Sequence, residues 1–94
     1  MSTPTIIIEL PEALRPLADG QSSVEVTAAT VAEALDALGQ IHPQARLRIL
    51  TRGGELRPHV HLFVRATDIR AEQGLATALH DGDTLLVVPS VAGG

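Results

Sequence analysis

The apolar residues of this chain come in short runs. Their spacing moves from a period of two to a helical period and back. Residues 5–10, Thr-Ile-Ile-Ile-Glu-Leu, are β-branched and predict a strand. Ile6, Ile8 and Leu10 share one face, and Ile7 and Glu9 the other. Pro11 ends the run. Residues 23–27, Ser-Val-Glu-Val-Thr, alternate cleanly, with Val24 and Val26 inward. Asp19-Gly20 lies in the turn-rich stretch between them, so the two runs predict an antiparallel hairpin with a long loop.

The period then changes. Thr30-Val31-Ala32-Glu33 is a capping-box pattern, in which Thr30 accepts from the N3 amide and Glu33 reaches back. Val31, Leu35, Leu38 and Ile41 follow at helical spacing, with Asp36 and Gln40 off that stripe. Gly39 weakens the last turn, and Pro43 is expected to prevent further helix. This is the main helix, and it should lie across the sheet. Residues 44–50 fit either a strand, through the alternation of Arg46 and Arg48 with Leu47 and Ile49, or a helical turn. A short turn or frayed helix leading to Gly53-Gly54 is the favoured reading. Gly53-Gly54 is not a phosphate cradle, because there is no P-loop lysine and no strand-loop-helix context.

Residues 59–65 return to period two. Val60, Leu62 and Val64 point one way, and His59, His61, Phe63 and Arg65 the other. Residues 67–70 predict a turn and a very short strand. Residues 74–79 predict a single turn that places Leu75 and Leu79 in the core. Asp81-Gly82-Asp83 is a turn signal feeding a last strand, residues 84–88, with Leu85 and Val87 inward and Leu86 and Val88 outward. Pro89-Ser90-Val91-Ala92-Gly93-Gly94 follows, losing large side chains toward its end. Residues 89–94 are expected to form a flexible tail on a single domain spanning residues 1–94.

Composition narrows the function. A chain of 94 residues supports one small core. It has no cysteine, hence no disulfide, thiolate metal site or redox thiol. A formal charge of −4 argues against a nucleic-acid partner. No apolar run approaches the roughly 20 residues that span a bilayer, and no secretory signal pattern opens the chain. A cytoplasmic location without membrane attachment is the default expectation. All seven basic residues are arginine. Compositional bias is the reading adopted for this; in either case the chain offers no lysine amine, and lysine-linked chains cannot form from it alone.

Side-chain chemistry is sparse. No acid pair, Ser/His/Asp set or metal cluster stands out, so no catalytic residue is assigned. The His59-x-His61 pair would present two imidazoles from one strand face, but no third ligand stands at a recognisable spacing. Exposed strand histidines are the reading adopted. His42 and His80 adjoin turn signals and need no special role. Phe63, the only aromatic residue, shares the outward face with Leu86 and Val88. Three apolar side chains together on a small domain predict a partner-contact patch.

The Asp81-Gly82-Asp83 turn, the apolar strand and Val91-Ala92-Gly93-Gly94 resemble the ubiquitin-like sulfur carriers, the ThiS/MoaD family, over nearly the whole chain. Leu14-Arg15-Pro16, Gly20-Gln21 with Ser23-Val24, Asp68-Ile69-Arg70 and Gly74-Leu75-Ala76-Thr77-Ala78 resemble most the subgroup that serves thiocarboxylate-dependent cysteine biosynthesis (CysO). The chain departs from relatives at Arg65-Ala66-Thr67, where Asn-rich or Gly-rich turns are common, and at Ser90.

The resemblance implies an α+β, β-grasp (ubiquitin-like) fold. A mixed sheet of four to five strands is crossed by one main helix, with the first and last strands parallel at its centre. It implies that the Gly94 carboxylate is adenylated and converted to a thiocarboxylate, with Val91, Ala92 and Gly93 threading a narrow channel. It also implies an E1-like adenylating enzyme using ATP, a pyridoxal-phosphate cysteine synthase, and a zinc metalloprotease that releases cysteine. The chain itself would bind no cofactor and would be a recycled co-substrate rather than an enzyme. Alternatives within the resemblance are the small subunit of a molybdopterin synthase, a thiamin-type carrier, a carrier for secondary metabolism, and a ubiquitin-like protein modifier. An alternative from another class is a β-grasp binding domain whose Gly-Gly is incidental.

Overall fold

The computed structural model describes residues 3–89. The period-two runs form strands β1 (Thr5–Glu9), β2 (Ser23–Thr27), β3 (Val60–Val64), β4 (Thr67–Asp68) and β5 (Thr84–Pro89). They make one five-stranded sheet in the order β2-β1-β5-β3-β4. β1 and β2 are antiparallel, with Ile6 opposite Val26 and Ile8 opposite Val24. β1 and β5 are parallel, with Ile8 opposite Leu85, and β3 runs antiparallel to β5. The first and last strands therefore meet mid-sheet, in the β-grasp arrangement.

Alternation buries one face of this sheet. Ile6, Ile8, Val24, Val26, Val60, Leu62, Val64, Leu85 and Val87 join a single apolar cluster. Its other half comes from Val31, Ala34, Leu35 and Leu38 of α1 (Val31–Ile41). Burial of each large side chain contributes about 1.5–3 kcal/mol, which holds the helix against the sheet. Leu10 lies just past β1 but is buried, and its N–H donates to Ser22 O at 2.8 Å.

Thr30 caps α1 as its pattern predicts, accepting from Glu33 N–H at 3.2 Å. Glu33 reaches one residue further back than a capping box requires, to Ala29 N–H at 3.0 Å. The apolar stripe does not end on Ile41, which is 55% exposed. At 100° per residue, position 41 falls at the margin of the face set by Val31, Leu35 and Leu38, whereas position 42 falls within it. His42 is accordingly buried.

Pro43 does not stop helix formation. The chain bends at His42 (φ −133°, ψ 77°), and Pro43 opens a second helix, α2 (Pro43–Ile49). A first-turn proline forfeits no helical hydrogen bond, because that N–H has no partner in any case. The ambiguous residues 44–50 are thus mostly helical, with Ala45 and Ile49 buried. Gly39 lets the two helices close up: a Cβ there would stand 2.4 Å from Arg46 Cδ. Arg46 uses that space to reach Asp36 at 3.1 Å.

The connections carry short 3-10 segments. Glu12–Ala18 fills the long loop after β1, an element that sequence pattern left as a turn. It closes on Asp19 and Gly20, both in the left-handed region (φ 56° and 79°). Ile69–Ala71 and Gly74–Ala76 follow β4. Leu79 is buried and Leu75 packs half-buried against the core. The β3–β4 hairpin turns through Arg65 and Ala66, both at positive φ (50° and 66°), with Val64 opposite Thr67. Asn or Gly relieves such a turn; here two ordinary side chains occupy it at a cost of about 1 kcal/mol each.

Candidate functional site: the last strand and its open face

The site is built outward from β5. Its base is pinned to β1 by backbone and side-chain bonds. Gly82 N–H donates to Thr5 O (2.8 Å), and Ile7 N–H donates to Asp83 O (3.0 Å). Thr5 N–H donates to the Asp81 carboxylate at 2.8 Å. Gly82 makes the turn at φ 87°. The Asp83 carboxylate accepts from His80 N–H at 2.7 Å and forms an ion pair with Arg65. The Asp-Gly-Asp signal thus serves to start the central strand at a fixed height.

The two neighbours of β5 leave it at different points. Pairing with β1 ends at Glu9 opposite Leu86, and Pro11 then turns that chain away. β3 continues alongside, as far as Val60 opposite Pro89. Pro89 therefore belongs to the strand, one residue beyond the predicted end. It has no N–H, and it sits where β5 has a neighbour on one side only, a position a sheet tolerates. Residues 90–94, among them the predicted Val91, Ala92, Gly93 and Gly94, lie outside the described residues.

Both helices pack on the buried face, which leaves the other side of the sheet open. Phe63 stands opposite Leu86, and Val88 lies one side-chain repeat further along β5. Leu86 is 38% exposed, while Phe63 and Val88 are half-buried. Together with Arg65, Ala66 and Glu9 they line a shallow groove of about 480 Å³. The structure thus brings together the three residues that period-two reasoning had placed on one face.

The histidines do not assemble a metal site. His59 precedes β3, whereas His61 lies near Asp68 (3.4 Å) and Arg70 (3.2 Å). Among the described residues no group of three or more His, Asp or Glu side chains could hold a metal ion. Arg70 N–H donates to Asp68 at 2.9 Å, and this bond, with help from His61 and the Arg70 charge, lowers the Asp68 pKa against a desolvation effect that raises it. Gly53-Gly54 forms a tight turn in which Thr51 accepts from the Gly54 and Glu55 N–H groups. Sequence reasoning missed a second groove, lined by Leu47, Arg48, Arg52, Arg57 and His59. Its residues come from α2, the following loop and the approach to β3, so no local spacing announces it.

The family model of the ThiS family matches residues 8–94. The chain belongs to the ThiS family. It is 33% identical over 91 residues to the sulfur carrier protein CysO of Mycobacterium tuberculosis, covering 95% of this chain and 98% of that one. Its fold superimposes on a chain of the BexX/CysO complex of Amycolatopsis orientalis with a TM-score of 0.87 at 35% identity, covering 95% of this chain and 99% of that one. It is also 41% identical over 66 residues to small archaeal modifier protein 1 of Haloferax volcanii, covering 70% of this chain and 71% of that one. The relatives of this chain thus include both a sulfur carrier and an archaeal modifier protein. Among the described residues, no helix is long and apolar enough to cross a membrane.

Proposed function

We propose that this chain is a sulfur carrier whose reactive group is the main-chain carboxylate of Gly94. The observation that carries the reading is the anchored central strand. β5 is pinned at its base and held by β1 and then β3, and it hands the chain to a small-residue Gly-Gly segment within a ThiS-family match. A rigid strand fixes where the segment starts, and residues without bulky side chains can enter a narrow channel.

The chemistry follows from the poor reactivity of a carboxylate. A carboxylate oxygen of Gly94 attacks the ATP α-phosphate on an E1-like partner, and pyrophosphate leaves. Sulfide then displaces AMP and gives the thiocarboxylate directly. A persulfide donor would displace AMP to give an acyl disulfide, which a second thiol on the partner would cleave to the thiocarboxylate, leaving a disulfide on that partner. The likeness to CysO supports cysteine formation as the destination. A pyridoxal-phosphate-dependent cysteine synthase would supply a serine-derived acceptor, for which O-phosphoserine is the proposed source. Sulfur attack and an acyl shift would leave cysteine joined by an amide to Gly94. A zinc metalloprotease would hydrolyse that amide and regenerate the carrier. ATP, pyridoxal phosphate and zinc reside on the partners, and the chain acts as their co-substrate in the cytoplasm. Phe63, Leu86 and Val88 are the proposed contact patch for the partner that receives the tail, with Val91, Ala92 and Gly93 threading its channel.

The test is intact-protein mass spectrometry after incubation with the activating enzyme, ATP and a sulfur donor. The wild-type chain should exchange one oxygen for sulfur at Gly94. Gly93→Val should block the exchange by steric clash in the channel. Removing Gly94 should block it by shortening the reach roughly 3.5 Å. Residues added after Gly94 should block it until proteolysis removes them. Equal reaction of the altered tails, or sulfur elsewhere, overturns the proposal. A second reading, conjugation of Gly94 to target lysines, is favoured by the likeness to the archaeal modifier. High-mass adducts in cells that survive reduction and denaturation would establish it.

A further inference from the structure

The charges of this chain are strongly segregated. Arg46, Arg48, Arg52, Arg57, Arg65 and Arg70 fall within residues 46–70, which hold only Glu55 and Asp68 as acids. Outside that segment Arg15 is the one basic residue, in a chain whose formal charge is −4. Folding gathers part of the basic segment into one groove of about 490 Å³, lined by Leu47, Arg48, Arg52, Arg57 and His59.

Among the described residues the groove arginines form no ion pair. Arg57 is half-buried, and its Nε donates to Leu47 O at 2.8 Å, which holds the guanidinium in place along the groove wall. Arg48 and Arg52 are exposed, and neither makes an ion pair among the described residues. Uncompensated like charges held close together repel one another and are stabilised when an anionic surface meets them.

The groove also has a definite place relative to the reactive end. His59 immediately precedes Val60, and Val60 is the strand partner of Pro89, the last residue of β5. Gly94 is five residues beyond Pro89, so its carboxylate can reach at most roughly 18 Å from that point. Any protein that takes the end into an active site must therefore lie against this margin of the sheet.

We propose that the Arg48-Arg52-Arg57 groove is a docking surface for an acidic, Asp/Glu-bearing surface on the activating enzyme that receives the tail. The proposal rests on the carrier reading. Carboxylates match planar guanidinium forks. Two of the three arginines sit on exposed, adaptable side chains, which suits a broad protein surface better than a small anion held in a closed pocket. Outside the basic segment the chain carries nine of its eleven acidic residues and one arginine. An acidic partner surface would therefore both attract the basic groove and repel the other faces, turning the tail toward the partner's active site before contact.

The experiment measures association of the full chain with the activating enzyme by stopped-flow, from about 50 mM to about 300 mM salt, alongside thiocarboxylate formation by mass spectrometry. The double variant Arg48→Gln/Arg52→Gln is compared with Gln21→Glu/Gln73→Glu, which makes the same change in net charge at exposed positions elsewhere. The groove variant should associate about tenfold more slowly at low salt and lose most of the salt dependence. The control variant should keep the wild-type salt dependence, and both should react at the wild-type rate once the enzyme is saturated. Equal association of groove variant and wild type overturns the docking surface while leaving the carrier reading intact. So does an equal loss in the control, which would mark a net-charge effect. Inorganic phosphate that perturbs groove resonances, with association unchanged by the variant, also overturns it by marking a small-anion site. Absence of any wild-type reaction overturns both readings together.

Discussion

Single side chains here act mostly by closing backbone turns. Asp83 accepts a backbone bond from His80 and pairs with Arg65 across the β3–β4 turn, while Asp81 ties the turn to Thr5. Asp68 does the same for the segment after β4, accepting from Arg70 N–H with its pKa held below the ordinary carboxylate value. A carboxylate with a depressed folded-state pKa adds stability above its unfolded pKa, and the contribution is lost as pH falls through the folded value. Asp68→Asn should therefore lower the urea midpoint at pH 7. The gap between variant and wild type should close as pH falls below about 4, where the unfolded carboxyl takes up its proton. A gap that stays constant into acid would show that the charge is not what matters. The sequence displayed Asp81 and Asp83 as a turn signal, but their long-range partners, Thr5 and Arg65, became visible only when the strands were paired.

At the level of elements, α1 shows how far pattern reading reaches. Its start was legible because capping is local: Thr30 and Glu33 are neighbours within one turn and need nothing from the rest of the fold. Thr30→Ala should cost about 1 kcal/mol, read as a lower denaturant midpoint with unchanged slope. Glu33→Gln, which keeps an oxygen acceptor, should cost less. An unchanged midpoint for Thr30→Ala would show that the Val31 N–H bond to Thr77 O holds the helix start without the cap. The end of α1 was less legible. Pro43 reads as a stop, and whether the chain then coils or begins a new helix depends on the surface waiting for it. Ala45 and Ile49 find the core, so the new helix forms. The 3-10 segment Glu12–Ala18 was hidden for the same reason: Pro16 and the small size of the segment mask a pattern that only packing of Leu14 and Leu17 against the core reveals.

For the whole molecule, the important asymmetry is between the two faces of the sheet. One is sealed by both helices, and the other keeps Phe63, Leu86 and Val88 within reach of a partner. Leu86→Asp should leave the fold intact at a cost of about 1 kcal/mol, from a poor strand former placed opposite Glu9. It should weaken binding of the activating enzyme at least tenfold, a loss of about 1.4 kcal/mol or more, by placing an unpaired charge in the proposed apolar contact. Phe63→Ala should act in the same direction. Wild-type thiocarboxylation rates for both variants, with the fold intact, would move the contact surface elsewhere. By itself the sequence determined the strand faces, the capped start of α1 and the small-residue end, because each depends on residues a few positions apart. Tertiary structure decided where β5 loses its β1 neighbour, which face stays open, and that arginines from α2, its following loop and the approach to β3 share a groove beside the strand end. Those facts depend on which distant segments pair, and pairing is settled by burial of the common core rather than by any local spacing.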